Sequence, residues 1–231
     1  MKYRHLFFDL DHTLWDYNAN ARLSLEELYD ELGLEKAGVH SFDLFYNSYI
    51  LHNELLWERY RNGDIRADEL RVKRMRNALM DFKVTDATLA VQLGARFMDM
   101  LPTRNILFPG TVSTLQYLTD KGYKLHLITN GFEETQHCKL RNSGIDHFFI
   151  EVITSEGSNS IKPKREIFDF ALKKADALHH HSIMIGDSIE VDIIGARNAG
   201  WDQVYVNHQC IDCSENPTYT VTSITELSTI F

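Results

Sequence analysis

Short apolar runs alternate with amphipathic segments through the second half of the chain, and each run is apolar at consecutive positions. Strands of this kind are typical of a parallel sheet that is covered on both faces. The pattern predicts strands at 124–128, 149–154, 182–185 and 203–206, and helices at 111–121, 133–142, 165–175, 190–198 and 224–230. Gly122, Gly144 and Gly200 follow predicted helices, where glycine commonly ends a helix. We therefore expect an α/β fold with a Rossmann-like parallel sheet.

The pattern between the first apolar run, Leu6 to Phe8, and about residue 101 is different, because it has helical periodicity and no convincing strand. Helices are predicted at 19–32, 42–60, 67–82 and 87–100, with apolar stripes at Leu25, Leu28, Tyr29 and Leu32 and at Leu51, Leu55, Leu56 and Tyr60. The chain should thus form a core domain from residues 1–16 and 102–231, with a helical cap domain at 17–101. Ligands of open parallel sheets bind beyond the carboxyl ends of the strands, so the insertion could act as a lid on hinges at 15–18 and 101–106.

Composition and charge limit the classes of partner. The 231 residues carry a formal charge of −9, which argues against binding a nucleic-acid polymer. No apolar run approaches the roughly 20 residues of a membrane helix, and the N-terminus leads into a strand instead of a signal peptide. We expect a cytoplasmic protein, monomeric or weakly dimeric, with no membrane partner. Cys138, Cys210 and Cys213 predict no disulfide framework.

Two carboxylates, Asp9 and Asp11, follow the first apolar run directly. Side chains two residues apart point the same way in an extended chain. Carboxylates that face one point repel each other unless a cation or a shared proton relieves them. The pair therefore indicates a metal and phosphate site, although an acidic pair after a strand can also be a simple polar loop.

Two further clusters follow predicted strands. The hydroxyl of Thr129, with the backbone amides of Asn130 and Gly131, could form an anion-binding nest at the start of a helix, or an ordinary turn. Lys162, before Pro163, could offset the carboxylates and bind a phosphate oxygen. Lys164 is the competing candidate, and we favour Lys162.

A fourth cluster begins at Gly186 and Asp187 after the strand at 182–185. Asp192 lies in the first turns of the next predicted helix, where an acid also suits the helix dipole. Asp187 could equally be a helix N-cap. Together, the four clusters supply carboxylates, a hydroxyl with an amide nest and a lysine at the ends of four predicted strands.

These motifs resemble the haloacid dehalogenase-like hydrolase superfamily. Its pattern is Asp-x-Asp-x-Thr, a Thr or Ser at a strand end, Lys-Pro, and Gly-Asp followed by a later Asp. Here these are Asp9, Asp11 and Thr13, then Thr129, then Lys162 and Pro163, then Gly186, Asp187 and Asp192. The resemblance implies a phosphatase with one Mg²⁺ ion held by Asp9, Asp187 and the backbone carbonyl of Asp11.

The resemblance also assigns roles to the catalytic residues. Asp9 would attack phosphorus and form an aspartyl-phosphate, and Asp11 would serve as general acid and then as general base. Thr129, Asn130 and Lys162 would bind the phosphate, and Asp192 would support the site. Haloacid dehalogenases lack an acid at the position of Asp11 because halide needs no proton to depart, so Asp11 favours phosphoester hydrolysis.

A closer likeness is to the noncanonical pyrimidine 5'-nucleotidases of the superfamily. It includes Ile128 to Phe132 and, more loosely, the cap segment with Asn53 and Trp57. This implies a small phosphomonoester substrate, with a nucleoside monophosphate preferred. Trp57 could instead belong to the core of the cap. Sugar phosphates and phosphoglycolate stay open, as does a phospho-accepting regulatory domain, which would hold its aspartyl-phosphate without hydrolysing it.

Overall fold

The computed structural model describes residues 2–231. The chain divides into two compact units. One unit consists of the chain up to Tyr17 together with Asn105–Phe231, and the other is Asn18–Arg104. Within residues 2–231, no helix is both long enough and apolar enough to cross a membrane.

The second unit is helical. Its helices are α1 (Tyr17–Glu31, which begins one residue before the unit), α2 (Phe42–Arg61), α3 (Ala67–Met80) and α4 (Ala87–Met100). The Asp86 side chain begins α4 by accepting hydrogen bonds from the amides of Thr88 and Leu89, at 2.8 and 3.0 Å. Tyr49 of α2 packs edge-on against Phe97 of α4, with ring centroids 5.4 Å apart.

The predicted apolar stripe on α2 is wrong in part. Leu51 and Leu55 are 55% and 48% exposed, and only Leu56 of the four residues is fully buried. The buried face of α2 consists instead of Phe45, Tyr46, Tyr49, Asn53 and Leu56. With about 3.6 residues per turn, these five positions share one face of the helix, and Leu51 and Leu55 fall on the opposite side.

The other unit contains a six-stranded parallel sheet, which confirms the predicted fold class. The strands are β1 (His5–Phe8), β2 (Lys124–Thr129), β3 (Phe149–Thr154), β4 (Ser182–Gly186), β5 (Asp202–Val206) and β6 (Tyr219–Val221), in the order β3-β2-β1-β4-β5-β6. The pattern did not predict β6, a three-residue edge strand. Phe8 of β1 lies opposite Leu127 of β2 and Ile185 of β4, so three strands end at nearly the same level.

Helices cover this sheet: α5 (Thr111–Asp120), α6 (Glu133–Asn142), α7 (Ser155–Ser158), α8 (Arg165–Lys174), α9 (Gly195–Asn198) and α10 (Leu227–Ile230). A buried cluster includes Phe7, Phe168, Met184 and Trp201 and covers one face. Because consecutive strand residues face opposite sides, covering both faces requires the continuous apolar runs seen in the sequence. Cys138, Cys210 and Cys213 are free thiols.

Candidate active site

The ends of β1 and β4 bring three carboxylates together. Asp9 follows β1, Asp187 follows β4, and Asp192 lies five residues further along the chain. One oxygen from each carboxylate lies within 4.8 Å of the others. These strands flank the point where the chain changes direction across the sheet, which is where ligands bind in open α/β folds.

Lys162 supplies a positive charge to this cluster. Its Nζ donates to Asp9 Oδ1 at 2.7 Å, to Asp192 Oδ1 at 2.6 Å and to the carbonyl of Ile128 at 2.8 Å. The residue is 1% exposed, whereas Lys164 is exposed. Burial alone would lower the pKa of Lys162, but the charges of Asp192 and Asp9 raise it to about 12. Lys162 is thus a fixed cation beside Asp9.

Asp192 reaches the cluster from a π-helix, Ile189–Ile194, where the sequence predicted an α-helix over 190–198. The carbonyl of Ser188 accepts from the amides of both Asp192 and Ile193, at 2.9 and 3.2 Å, which widens the turn. The Asp192 carboxylate in turn accepts from the Ser188 amide at 3.1 Å. The single turn of α9 follows. Asp192 thus stabilises the wider turn and also pairs with Lys162.

The charges of this cluster perturb its titration. Burial raises the pKa of Asp9 well above its ordinary value, and the charge of Lys162 opposes that rise only in part. Burial and the charge of Asp192 raise the pKa of Asp187 to about 7, although Thr13 Oγ1 donates to its Oδ1 at 2.9 Å. Three carboxylates and one ammonium would carry a net charge of about −2 when ionised. This charge and the all-oxygen donor set fit a divalent cation such as Mg²⁺.

The Thr129 hydroxyl is oriented to donate a hydrogen bond. Its Oγ1 accepts from Gln136 Nε2 at 2.7 Å and from the Gly131 amide at 3.1 Å. A hydroxyl has two acceptor sites and one proton, so both acceptor sites are taken and the proton is left for another oxygen. Gly131 permits this arrangement, since a Cβ there would overlap the Gln136 side chain.

Asn130 positions the lysine loop. Its Oδ1 accepts from the Lys162 amide at 2.8 Å, and its Nδ2 donates to the Lys162 carbonyl at 2.9 Å. The Asn130 side chain therefore holds the backbone of Lys162 through both of its polar atoms. The amide of Glu133, which begins α6, donates to Glu156 Oε2 at 2.7 Å, so it is not part of an open anion nest.

Asp11 is not among the three carboxylates whose oxygens lie within 4.8 Å of one another. β1 ends at Phe8, and the chain turns at His12, whose φ is +66°, so the alternation of an extended strand does not apply. The Asp11 carboxylate accepts from Lys139 Nζ at 2.6 and 2.8 Å and from Gln136 Nε2 at 3.1 Å. The two acids of the motif therefore have different partners: Asp11 contacts two residues of α6, and Asp9 contacts Lys162.

The two cap candidates lie in the helical unit. Asn53 is buried, and its Oδ1 accepts from Arg74 Nη1 at 3.1 Å. Trp57 is half-buried and packs beside Tyr60 on a small apolar cluster of Leu56, Ile65 and Leu70. Within this unit, Asn53 has a clear structural role as the acceptor for a buried guanidinium.

Two residues of this region, Gln136 and Lys139, were not predicted from the sequence. They lie three residues apart on one face of α6 and are 0% and 3% exposed. A glutamine and a lysine on a polar helix ordinarily indicate a solvated surface, so their types carried no signal. A partial signal was available in Gly131, whose missing side chain admits Gln136.

The comparisons with known proteins agree with this architecture. A family model described as haloacid dehalogenase-like hydrolase matches residues 3–200. The chain is 30% identical to the pyrimidine 5'-nucleotidase YjjG of Escherichia coli, covering 98% of this chain and 97% of the relative. It is 31% identical to a glyceraldehyde 3-phosphate phosphatase of Methanothermobacter thermautotrophicus, covering 91% of this chain and 88% of the relative.

A solved structure with the same architecture is that of YfnB from Bacillus subtilis bound to magnesium. It aligns with a TM-score of 0.89 and 27% identity, and it covers 100% of this chain and 99% of that chain.

Proposed function

This chain belongs to the haloacid dehalogenase-like hydrolases, and we propose that it is a Mg²⁺-dependent phosphomonoesterase that acts through an aspartyl-phosphate on Asp9. The observation that carries the proposal is the buried cluster in which Lys162 contacts Asp9 and Asp192, with Asp187 beside them. A carboxylate nucleophile next to a fixed cation and a divalent-metal site suits attack on a phosphate dianion.

Asp9 would attack phosphorus with its carboxylate while the bond to the leaving alkoxide breaks. Asp11 would give that alkoxide a proton and would later take one from the attacking water, help that is typically worth about 10² to 10⁴ in rate. Lys162 and the Thr129 hydroxyl would bind phosphate oxygens. Mg²⁺ held by Asp9, Asp187 and the carbonyl of Asp11 would neutralise charge on the phosphate.

The acid at position 11 distinguishes this reaction from dehalogenation. Departing halide needs no proton, whereas a departing alkoxide does. The chain carries both acids and keeps Asp11 within a set of hydrogen-bond donors. This supports phosphoester hydrolysis as the reaction.

Within this class we propose a nucleoside 5'-monophosphate, with a pyrimidine base preferred, as the substrate. The support is the identity to a pyrimidine 5'-nucleotidase over nearly the whole chain, and the likeness of the segment with Asn53 and Trp57. The second candidate is a sugar or triose phosphate, favoured by the similarly high identity to a glyceraldehyde 3-phosphate phosphatase.

A panel of monophosphates assayed with Mg²⁺ tests the substrate proposal. It should include uridylate, thymidylate, glyceraldehyde 3-phosphate, phosphoglycolate and p-nitrophenyl phosphate. We expect the highest kcat/KM with the pyrimidine nucleotides. Highest turnover on a sugar or triose phosphate, with little on uridylate or thymidylate, would overturn the nucleotidase proposal and retain the phosphatase. Fewer than one phosphate released per chain would instead indicate a phospho-accepting regulatory domain.

A further inference from the structure

Lys139 is a buried cation in a place where the sequence predicted none. It lies on α6 with 3% of its surface exposed, and its Nζ contacts both oxygens of Asp11. The same Nζ lies 4.4 Å from the centroid of the Trp15 ring. Removing an ammonium group from water is costly unless charge and hydrogen bonds compensate, and here a carboxylate and an aromatic face do so.

Within residues 2–231, the side-chain partners of the Asp11 carboxylate are the hydrogen-bond donors Lys139 and Gln136. Lys139 donates to Oδ1 and Oδ2, and Gln136 Nε2 donates to Oδ2. A lysine ammonium has no acceptor site, and the Gln136 nitrogen has none either. The two residues lie one turn apart on α6 and approach Asp11 from the same side. This arrangement offers the Asp11 oxygens as acceptors in one fixed orientation.

We propose that Lys139 is a positioning residue that holds the Asp11 carboxylate ready to accept a proton when the phosphorylated enzyme is hydrolysed. The inference rests on the phosphatase function proposed above. In this step the water oxygen bonds to phosphorus, and the bond from phosphorus to the Asp9 oxygen breaks. The electron pair returns to Asp9, and one water proton passes to Asp11. That proton leaves with the next alkoxide.

The arrangement assigns Lys139 to the second half of the reaction in particular. Formation of the aspartyl-phosphate from p-nitrophenyl phosphate needs little acid assistance, because p-nitrophenolate is a weakly basic leaving group. Hydrolysis of the aspartyl-phosphate still needs a base for water, whatever the first leaving group was. Loss of Lys139 should therefore slow the second step and spare the first.

Steady-state and rapid-mixing kinetics of the whole chain with p-nitrophenyl phosphate and Mg²⁺ test this assignment. We expect Lys139→Met to lower kcat by about 10²-fold, the lower limit for general base help. KM should fall by a similar factor, so kcat/KM stays within about threefold of wild type. A burst of about one p-nitrophenolate per chain should precede the slow phase.

Two further variants separate this role from a structural one. Lys139→Arg keeps a cation beside Asp11 and should restore most of kcat, whereas Arg141→Met removes an exposed cation from the same helix and should change neither constant. KM does not depend on the fraction of folded chains, so it stays informative if Lys139→Met folds poorly.

The outcomes distinguish the two proposals. If the wild-type chain turns over normally, an unchanged kcat in Lys139→Met would overturn this inference and leave the proposed function standing. A fall in kcat with KM unchanged would do the same. Absence of turnover by the wild-type chain on every monophosphate would overturn the proposed function and this inference with it.

Discussion

Gly186 and Asp192 are sterically matched, since a Cβ at position 186 would overlap the carboxylate of Asp192. The glycine ends β4, and the carboxylate occupies the space that a side chain there would fill. Asp192 uses this space to pair with Lys162 and to accept from the Ser188 amide. A residue with no side chain therefore permits the buried ion pair beside Asp9.

Gly186→Ala should displace the Asp192 carboxylate and weaken the site. Overpacking of this kind costs about 1 to 3 kcal/mol, and we expect a loss of that size in the free energy of unfolding. Urea titration gives the value. Because the clash is with one side chain, the loss should be smaller when Asp192→Ala is already present. Equal losses in both backgrounds would show that the two residues are not coupled.

Asp9→Asn should remove turnover without loss of the fold. The variant lacks the nucleophile, so kcat should fall by at least about 10³-fold. Burial raises the pKa of Asp9 well above its ordinary value, which means that the charged carboxylate is unfavourable at this position. A neutral amide of the same shape removes that buried charge, so Tm should stay equal or rise. Activity on uridylate and a thermal melt check both points. Asp146→Asn, at an exposed position, is the control, and normal phosphate release by purified Asp9→Asn would refute the nucleophile assignment.

Gln136→Leu should weaken phosphate binding, because Gln136 Nε2 fills one acceptor site of Thr129 Oγ1. Without it the hydroxyl proton is no longer directed away from α6. One lost hydrogen bond is worth about 0.5 to 1.5 kcal/mol, so the inhibition constant of inorganic phosphate should rise up to about tenfold. Gln116→Leu removes an exposed glutamine from α5 and should leave that constant unchanged. An inhibition constant unaltered by Gln136→Leu would count against the orienting role.

His126 should make the fold sensitive to mild acid. Burial, with the neighbouring charges of His5 and Lys124, lowers its pKa from 6.5 to about 3. As the pH falls below 6.5, the unfolded chain takes up a proton at His126 that the folded chain does not. The free energy of unfolding is therefore unaffected by His126 above pH 6.5 and falls below that pH. The loss is about 1.4 kcal/mol per pH unit, or about 2 kcal/mol between pH 7 and pH 5.

Urea unfolding of His126→Gln at pH 7 and pH 5 measures this contribution. The variant should lose about 2 kcal/mol less than wild type over that interval. His147→Gln replaces an exposed histidine and should retain the wild-type difference. An identical loss in all three proteins would show that His126 does not cause the pH dependence.

The periodicity of apolar positions was sufficient to predict the parallel sheet, apart from its edge strand β6, and most of the helices around it. It also placed polar clusters at strand ends, and parallel strands necessarily bring those ends to one edge. Asp9, Lys162 and Asp187 therefore meet in the structure as their positions in the sequence predicted. The strands and the polar clusters that follow them could be predicted from local information, because spacing and residue type within a few positions determine them.

Only the tertiary structure decided which side chains became partners. Lys139 pairs with Asp11 across 128 positions, and Arg74 pairs with Asn53 between two helices. The π-helix that brings Asp192 to Lys162, and the exposure of Leu51 and Leu55, depend in the same way on neighbours from distant segments. Burial and pairing are properties of the packed chain, because the cost of a buried charge depends on what surrounds it.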